Sequence, residues 1–391
     1  MAEWNNTHLS EVLVDKGYIR GPFGSALKRC DMKDNGIPVY EQQHAIYNSR
    51  YFRYYIDEQK FNEMKRFQVN TDDLIISCSG TVGKVSIIRS DDPKGIISQA
   101  LLILRVDQKK ILPLYLKYFF TSRDGYNAIV SRSSGSVQVN IAKRNVIEQI
   151  PLMLPKIEIQ RKIVEILNSI DNKIEENEEI NNNLEQQAQA IYQQMFIDNA
   201  SSDWTEGTLS DIADITMGQS PSGSSYNEDG NGTIFFQGRA EFSFRFPTVR
   251  LYTTEPKRMA CANDTLMSVR APVGDLNVTH TDCCIGRGLA AIHSKNNHQS
   301  FVLYTMFSLK KQLDVFNGEG TVFGSINRKS LNEMPILIPS GEKLDEFEAL
   351  VSPMDAAIRN NYDEICRLEQ LRDSLLPQLM SGELDVSDID L

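Results

Sequence analysis

Two stretches of this chain place apolar residues alternately four and three positions apart, and this spacing restricts the fold more than any other feature. The first stretch lies within residues 155–196, where no glycine or proline follows the opening proline and where Asn177 and Asn181 stand among the apolar positions. Those apolar positions are Ile163, Leu167, Ile170, Ile174, Leu184, Ala188, Ile191 and Met195. A period of 3.5 residues over this length predicts a long helix with a narrow apolar stripe, which needs a partner helix.

The partner helix is predicted in the same chain, because the residues after Pro339 repeat those after Pro155 without a gap. Asp171 then corresponds to Asp355, and Asn177 to Asn361. The second stripe consists of Leu344, Phe347, Val351, Met354, Ile358, Asn361, Ile365, Leu368, Leu375 and Leu379, interrupted by Arg372. The two helices are expected to form an intramolecular antiparallel coiled coil with pseudo-two-fold symmetry. Equivalent residues meet near the midpoint of such a pair, so Asn177 is expected beside Asn361, where it would fix the register.

Two prolines suggest where the second helix begins and ends. Ser352-Pro353 has the sequence of an N-cap followed by proline at the first helical position, which predicts that a helix starts afresh there. Pro377 is expected to end the helix, because proline lacks the backbone N–H that a helix interior uses.

The repeat extends to the segments that precede each helix, so the chain is ordered as globule, long helix, globule, long helix. Short apolar runs bounded by Gly, Asp and Ser predict strands at 73–78, 84–89 and 96–104, and helices are predicted at 112–120 and 301–309. The predicted class is α+β, with two tandem mixed globular domains separated by the helix pair. The predicted segments are 1–155, 156–198, 199–340 and 341–391.

Composition and charge limit the functional classes. No apolar run is long enough to cross a membrane, which predicts a cytoplasmic protein without a membrane partner. The six cysteines show no metal-ligand spacing, so no metal site is expected. The net charge of −11 argues against a nucleic-acid binder as a whole, but residues 1–155 carry +5 while the two helical segments hold most of the acidic excess.

The motifs of common enzymes are missing from the sequence. Gly80-Thr81-Val82-Gly83-Lys84 hints at a phosphate-binding loop but lacks the required glycine spacing and the final Ser or Thr. His280, His293 and His298 lie near Cys283-Cys284 without placing two metal ligands on one face. The chain is therefore predicted to bind rather than to catalyse, with no catalytic residues.

Several motifs of the chain resemble one family of proteins. They are Leu154-Pro155-Lys156-Ile157-Glu158-Ile159-Gln160, Ile170-Asp171-Asn172-Lys173-Ile174-Glu175, Leu375-Leu376-Pro377-Gln378-Leu379-Met380-Ser381-Gly382-Glu383-Leu384, Gly21-Pro22-Phe23-Gly24-Ser25 and Gly286-Arg287-Gly288. Together with the duplicated globule and helix, they resemble the specificity (S) subunit of type I restriction–modification enzymes. The second helix departs from the first in its opening turn, where leucine (Leu344) stands in place of Gln160.

The resemblance implies a function and a set of partners. The globules would be two target recognition domains, each reading one half of a split site in double-stranded DNA. The helices would be conserved spacers that set the gap and dock two methyltransferase subunits, and nuclease/translocase (R) subunits would complete the assembly. No cofactor is expected on this chain, whereas S-adenosylmethionine, ATP and Mg are expected on the partner subunits.

Polar loop residues at matching places in the two copies are the candidates for DNA contact. The candidates are Arg20, Ser25, Lys28, Gln42, Gln43, Arg50, Arg53, Arg132, Gln138 and Asn140 in the first globule, and Gln219, Ser220, Gln237, Arg239, Arg287, Asn327 and Arg328 in the second. Arg50 and Arg53 come from a stretch, 47–67, in which basic and aromatic residues alternate; that composition suits phosphate contacts but is equally typical of a solvated face. Many of the other candidates are of types that also cap turns.

Two alternatives remain beside the DNA-recognition subunit. One is the recognition part of a related modification enzyme that lacks a nuclease partner. The other is an enzyme that acts alone, which an assay of methyltransferase or ATPase activity on the isolated chain distinguishes.

Overall fold

The computed structural model describes residues 4–133, 139–318 and 324–389, and the chain forms two compact units. The first unit consists of residues 1–175 and 366–391, and the second of residues 176–365. Each unit therefore contains one globule together with part of each long helix. The bounds of the units therefore fall within the two predicted helical segments, 156–198 and 341–391, and not at their ends.

The two predicted long helices are present as Ile157–Tyr192 and Gly341–Ser381, and a π-helical turn, Gln193–Asp198, follows the first. Both stripes are largely buried. The buried stripe residues are Ile163, Leu167, Ile170, Ile174, Asn177, Asn181, Ala188, Leu344, Phe347, Val351, Ile358, Ile365 and Leu379. Because each large apolar side chain removed from water stabilises the fold by roughly 1.5–3 kcal/mol, these stripes contribute substantially to both units.

The predicted start of a helix at Pro353 and the predicted end at Pro377 are both wrong. The helix runs without a break through Pro353, and it passes Pro377 to end at Ser381. A proline inside a helix removes one backbone hydrogen bond and crowds the preceding turn. The buried side chains on either side, Val351 and Ile358 at the first proline and Leu376 and Leu379 at the second, hold the helix against the core in spite of that cost.

The helices pair antiparallel within each unit, one helical turn away from the predicted register. Asn361 Nδ2 donates to Asn181 Oδ1 at 2.9 Å, and Asn177 Nδ2 donates to Glu364 Oε2 at 2.9 Å. The asparagine pair near the midpoint is thus formed by Asn361 with Asn181, and Asn177 pairs with a carboxylate instead.

The first unit is built on three sheets. The largest has four antiparallel strands, in the order Leu13–Arg20, Leu101–Val106, Leu74–Ser77 and Val85–Ile87. A three-stranded sheet has the order Tyr55–Ile56, Ile37–Tyr40 and Ile96–Ile97, and a two-stranded sheet pairs Asn5–His8 with Pro151–Leu154. The predicted strand at 96–104 is therefore split between two sheets.

The second unit repeats this arrangement with one larger sheet. Its four-stranded sheet has the order Ala213–Met217, Leu289–Ser294, Thr265–Ser268 and Leu276–Val278. Its five-stranded sheet has the order Tyr226–Asn227, Leu251–Thr253, Thr233–Phe236, Cys283–Ile285 and Met259–Ala260. Thr205–Thr208 pairs with Pro335–Ile338 in a two-stranded sheet.

Short helices cover the sheets of both units. In the first unit they are Leu9–Val12, Gln42–Ile46, Glu58–Glu63, Pro113–Thr121, Arg123–Val130 and Arg144–Ile147. In the second they are Leu209–Ile212, Gln299–Ser308, Lys310–Leu313 and Arg328–Asn332. The helices predicted at 112–120 and 301–309 are confirmed.

The long helices form part of the core of each globule. In the first unit, Leu167 and Leu379 belong to the same buried cluster as the strand residues Leu74 and Leu102. In the second unit, Tyr192, Phe347 and Val351 are buried with residues of the helix Gln299–Ser308. Each globule therefore has a fixed orientation on the helical segments of its own unit.

Candidate nucleic-acid interface

Five loops of the second unit meet at one end of its two large sheets. They are residues 218–220, 237–239, 269–275, 286–288 and 324–328, of which 324–328 follows the undescribed residues 319–323. The backbone connects them, since Val269 N donates to Gly288 O at 2.9 Å and Ile326 N donates to Val269 O at 3.0 Å. These loops hold all seven candidate residues of the second globule. The candidates lie far apart in the sequence, and the fold brings them to one end of the sheets.

Two glycines allow the loops to pack this closely. A Cβ atom at Gly218 would lie 2.2 Å from the carbonyl oxygen of Gly286, and one at Gly286 would lie 2.7 Å from that of Gln237. Arg287 N donates to Ser220 Oγ at 3.2 Å, so the Gly-Arg-Gly turn is also tied to the first loop. The side chain of Arg287 is left exposed.

Most of the seven candidates direct polar groups to solvent. Gln219, Gln237, Arg239, Arg287, Asn327 and Arg328 are exposed and Ser220 is half-buried. Arg239 Nη1 lies 3.0 Å from Asp275 Oδ2. Asn327 Oδ1 accepts a hydrogen bond from Ser330 N at 2.9 Å and caps the helix Arg328–Asn332. The surface offers donors and acceptors of the kind that read base edges.

The first unit brings the equivalent loops together in the same way. Cys78 N donates to Ala100 O at 2.8 Å and Ile141 N donates to Cys78 O at 2.9 Å, which repeats the two bonds of Val269. Gly21 N donates to Leu101 O at 2.9 Å, as Gly218 N does to Leu289 O. The matching of 21–25 with the loop after Gly218 is thereby supported by equivalent contacts.

Several candidates of the first unit are engaged within the protein. Gln42 Nε2 donates to Thr81 O at 3.0 Å, and Gln43 Nε2 donates to Tyr51 O at 3.0 Å, so both glutamines tie neighbouring loops together. Arg132 Nη1 donates to Ala128 O at 2.8 Å, near the end of its helix. These three side chains therefore stabilise the shape of the loops.

The two arginines of the basic and aromatic stretch form ion pairs. Arg50 pairs with Asp92 and donates from Nη2 to Ile87 O at 3.1 Å. Arg53 binds both carboxylate oxygens of Glu41, at 2.8 and 3.0 Å. Both arginines are therefore paired with carboxylates of the first unit, and the choice between phosphate contacts and a solvated face for this stretch stays a prediction.

The remaining candidates of the first unit differ in how they are placed. Arg20 is half-buried, and its Nη1 lies 3.4 Å from Leu101 O, while Lys28 is exposed. Asn140 is exposed, and its Oδ1 accepts from Ser79 Oγ at 2.8 Å. The backbone of Ser25 belongs to the turn Gly24–Ala26. Gln138 lies outside the described residues.

A half-buried carboxylate attaches the first globule to the first long helix. Asp171 Oδ2 accepts hydrogen bonds from Tyr118 Oη at 2.8 Å and Lys117 Nζ at 3.0 Å, and Asp171 Oδ1 lies 3.3 Å from Arg372 Nη1. Burial alone would raise the pKa of the Asp171 carboxyl, but the charges and hydrogen bonds of these partners outweigh it and hold the pKa below its ordinary value.

The equivalent carboxylate performs the same task in the second unit. Asp355 Oδ1 accepts from Tyr304 Oη at 2.9 Å and pairs with Arg245, whose Nη1 also lies 3.1 Å from Glu185 Oε1. The Arg245 side chain is only 3% exposed. The internal repeat matches Asp171 with Asp355, but it was not used to find their tyrosine partners. The similar places of Tyr118 and Tyr304 in the two copies could have indicated them.

The described residues contain no group of three or more side chains suited to hold a metal ion. Burial raises the pKa of the Cys78 and Cys283 thiols to about 12, so these two thiols are protonated at neutral pH. No helix in the described part of the chain is long and apolar enough to span a bilayer. The feature that the two units share is an exposed, polar loop surface on a scaffold anchored to the long helices, which is typical of proteins that bind through their loops.

Comparison with known proteins identifies the family. The family model for the type I restriction modification DNA specificity domain matches residues 2–186 and again residues 201–365. The chain belongs to this family and is a DNA-recognition subunit.

Two relatives and one solved structure agree with this assignment. A proposed specificity subunit of the type I restriction enzyme MjaX from Methanocaldococcus jannaschii is 29% identical over 356 residues, which cover 85% of this chain and 83% of that protein. The HindI specificity subunit from Haemophilus influenzae is 22% identical over 386 residues, covering 77% and 84%. The crystal structure of the type I S subunit from M. genitalium superimposes with a TM-score of 0.63 over 97% of this chain and 96% of that chain, at 15% identity, and so shares the fold.

Proposed function

We propose that each unit reads one half of a bipartite site in double-stranded DNA through the loop surface described above. The observation that carries this proposal is that two copies of one loop scaffold, held by equivalent backbone bonds, present different side chains. Equivalent scaffolds with different loop residues suit the reading of two different sequences. Exposed guanidinium and amide groups such as Arg287 and Gln237 form bidentate contacts with guanine and adenine edges in the major groove.

Phosphate contacts are expected to come mainly from the first globule, residues 1–155. Residues 1–155 carry a net charge of +5, whereas residues 199–340 carry −2. Neutralised phosphates position a protein on the duplex and make its binding depend on salt. The exposed Lys28 is the candidate for such a contact.

The long helices would dock two methyltransferase subunits, and R subunits would join the same complex. The outer faces of the helices carry exposed apolar residues, Ile180, Leu350 and Leu371, which are 44%, 50% and 47% exposed. S-adenosylmethionine, ATP and Mg would be bound by those subunits. This chain would determine which DNA sequence is recognised, without a catalytic step of its own.

Methylation mapping tests the proposed function. The chain is expressed with the methyltransferase subunits of its host, and the methylated positions of the genome are sequenced. We expect one motif made of two specified halves and an unspecified gap. A motif without a gap, or methylation that does not depend on this chain, would contradict the proposal.

A variant separates the two units in the same assay. All seven candidates of the second unit are replaced by alanine: Gln219, Ser220, Gln237, Arg239, Arg287, Asn327 and Arg328. We expect one half of the motif to be lost or blurred and the other half to persist, with each lost bidentate contact costing about 1–3 kcal/mol. An unchanged motif would show that these loops do not read DNA.

A further inference from the structure

The loop at 21–25 in the first unit exposes a phenylalanine directly after two buried residues. Gly21 is buried, and a Cβ atom there would lie 2.0 Å from Ser98 O, so the chain cannot shift inward at this point. Pro22 is also buried. The next residue, Phe23, is nevertheless 62% exposed. The loop therefore holds an aromatic ring away from the core of its own unit.

The Phe23 ring contributes little to the packing of the first unit, because most of its surface is exposed. Burial of a phenylalanine stabilises a fold by roughly 1.5–3 kcal/mol, which this loop forgoes. The Arg20 guanidinium lies over the ring, 5.5 Å from its centroid, and Lys28 and Arg29 beyond the loop are exposed. An exposed apolar ring with a guanidinium over it, followed along the chain by two exposed basic residues, suits a partner that combines anionic groups with flat apolar faces, and duplex DNA has both.

The position of the loop agrees with such a partner. Phe23 follows the strand Leu13–Arg20 at the end of the sheet where the other recognition loops meet, and Gly21 bonds to Leu101 beside the loop 98–101. The ring thus belongs to the surface that we assign to DNA.

The second unit has no counterpart of this ring at the matching position. Counting from the equivalent glycines Gly21 and Gly218, Phe23 corresponds to Ser220, which is half-buried and accepts a hydrogen bond from the backbone of Arg287. Among the described residues, the large exposed aromatic side chains of the first unit are Phe23, Tyr47 and Tyr51, against only Phe244 in the second. The two recognition surfaces therefore differ in kind as well as in sequence.

We propose that Phe23 is a wedge that enters the base stack in the half-site bound by the first unit. Apolar side chains that insert between bases unstack one step and bend the duplex, and this is easiest at flexible pyrimidine–purine steps. Phe23 then selects its half-site partly through the deformability of the DNA, while the described recognition loops of the second unit read the other half through polar side chains. This inference rests on the DNA-recognition function.

Fluorescence of 2-aminopurine tests the wedge directly. Once methylation mapping has given the motif, duplexes carry 2-aminopurine at successive positions of either half-site, and the full chain is bound to them together with its methyltransferase subunits. We expect the fluorescence to rise at one step of the half-site bound by the first unit, because the probe brightens when it is unstacked. Phe23→Ala abolishes this rise, and Phe23→Leu, which keeps an apolar side chain, retains part of it.

Affinity for the same duplexes gives a second measurement. Since stacking of a base on an aromatic ring contributes about 1–3 kcal/mol, Phe23→Ala weakens specific binding roughly 5- to 150-fold. The matched control is Met153→Ala, which removes a side chain of the same unit that is 51% exposed on the strand Pro151–Leu154, away from the recognition loops. The control leaves both affinity and fluorescence unchanged.

Three results would overturn the wedge. One is wild-type affinity and fluorescence for Phe23→Ala in a complex that binds its motif, which leaves the recognition function intact. Another is a Phe23→Ala chain that binds the methyltransferase subunits more weakly, while the complexes that do assemble bind DNA as the wild type does. That result would make the ring a protein-docking residue. A wild-type complex that binds no specific DNA would instead remove the proposed function on which the wedge depends.

Discussion

At the scale of single residues, glycines decide whether the recognition loops can close on one another. Gly218 and Gly223 lie in the same loop region but meet different surroundings. A Cβ atom at Gly218 would lie 2.2 Å from the carbonyl oxygen of Gly286, whereas nothing lies within 4 Å of one at Gly223. The contact at Gly218 is with backbone, which cannot rotate away as a side chain can.

We predict that Gly218→Ala disturbs the second recognition surface and that Gly223→Ala does not. The first substitution forces the 218–220 and 286–288 loops apart, so the half of the motif read by the second unit blurs and the melting temperature falls. Methylation mapping and thermal unfolding of both variants measure the effect. Equal behaviour of the two variants would show that the close approach at Gly218 is unimportant for recognition.

Asp171 gives a second prediction at this scale, in which pH is the variable. Its folded pKa is held below the ordinary value of 3.8 by Lys117, Tyr118 and Arg372, after the opposing effect of burial. A depressed carboxyl pKa stabilises the fold above the unfolded value, and this stabilisation is lost as the pH falls through the folded value. The ionised carboxylate should therefore matter at neutral pH and cease to matter in acid.

Asp171→Asn is expected to lower the free energy of unfolding by about 1–3 kcal/mol at pH 7, as for the loss of hydrogen bonds to a charged group. The difference from the wild type should shrink as the pH drops below about 4, because protonated Asp171 resembles asparagine. Urea unfolding at several pH values measures it. A difference that stays constant across this range would assign the stabilisation to packing and not to charge.

At the scale of secondary-structure elements, the helix pair contains buried polar contacts where an apolar stripe would be more stable. Asn181 is 1% exposed and accepts a hydrogen bond from Asn361. A buried asparagine pair lowers stability but penalises other registers, in which one amide would be left without its partner. The pair therefore serves the alignment of the helices.

We predict that the two asparagines are coupled. Asn361→Leu alone leaves the amide of Asn181 without this partner and should cost about 1–3 kcal/mol. Asn181→Leu combined with Asn361→Leu should restore or exceed the wild-type melting temperature. A double-mutant cycle by thermal unfolding measures the coupling, and simple additivity of the two single changes would contradict the contact.

At the scale of the whole molecule, the long helices are the only chain segments shared by both compact units in the described residues. The first spans Ile157–Tyr192, which at 1.5 Å per residue is on the order of 54 Å of continuous helix. Base pairs stack about 3.4 Å apart, so a segment of this length covers roughly sixteen of them. Helix length is therefore expected to set the unread gap of the DNA site.

Inserting four residues after Glu179 and four after its equivalent, Asp363, tests this expectation. Each helix lengthens by about 6 Å, and the apolar stripe turns about 40° beyond one full turn, which a supercoil can absorb in part. We expect both half-sites to stay the same and the preferred gap to grow by one or two base pairs. Binding or methylation across duplexes that differ only in gap length measures the preference.

A matched insertion separates helix length from chain length. Four residues added after Asp229, in the exposed segment between the strands Tyr226–Asn227 and Thr233–Phe236, should leave the preferred gap unchanged. A gap that grows with this insertion, or one that ignores the helical insertions, would show that the helices do not set the spacing.

The amino-acid sequence by itself determined the two long helices, their burial pattern and the duplication of the globules. Helical periodicity and internal repetition are written in the order of residues along the chain, so Leu167 and Phe347 could be assigned to a buried stripe without knowledge of their partners. The motif at 21–25 likewise indicated a recognition loop of the first unit, and the motif at 286–288 one of the second unit.

Only the tertiary structure decided which of these residues meet. The pairing of Asn361 with Asn181, the continuity of the helix through Pro353, the attachment of Asp171 to Tyr118 and the ion pair of Arg50 with Asp92 all depend on contacts between distant segments. Their free energies come from packing and from the loss of water around charged groups, which local patterns do not encode. For the same reason the exposure of Phe23 could not be predicted: it follows from the backbone contact that holds Gly21 in place.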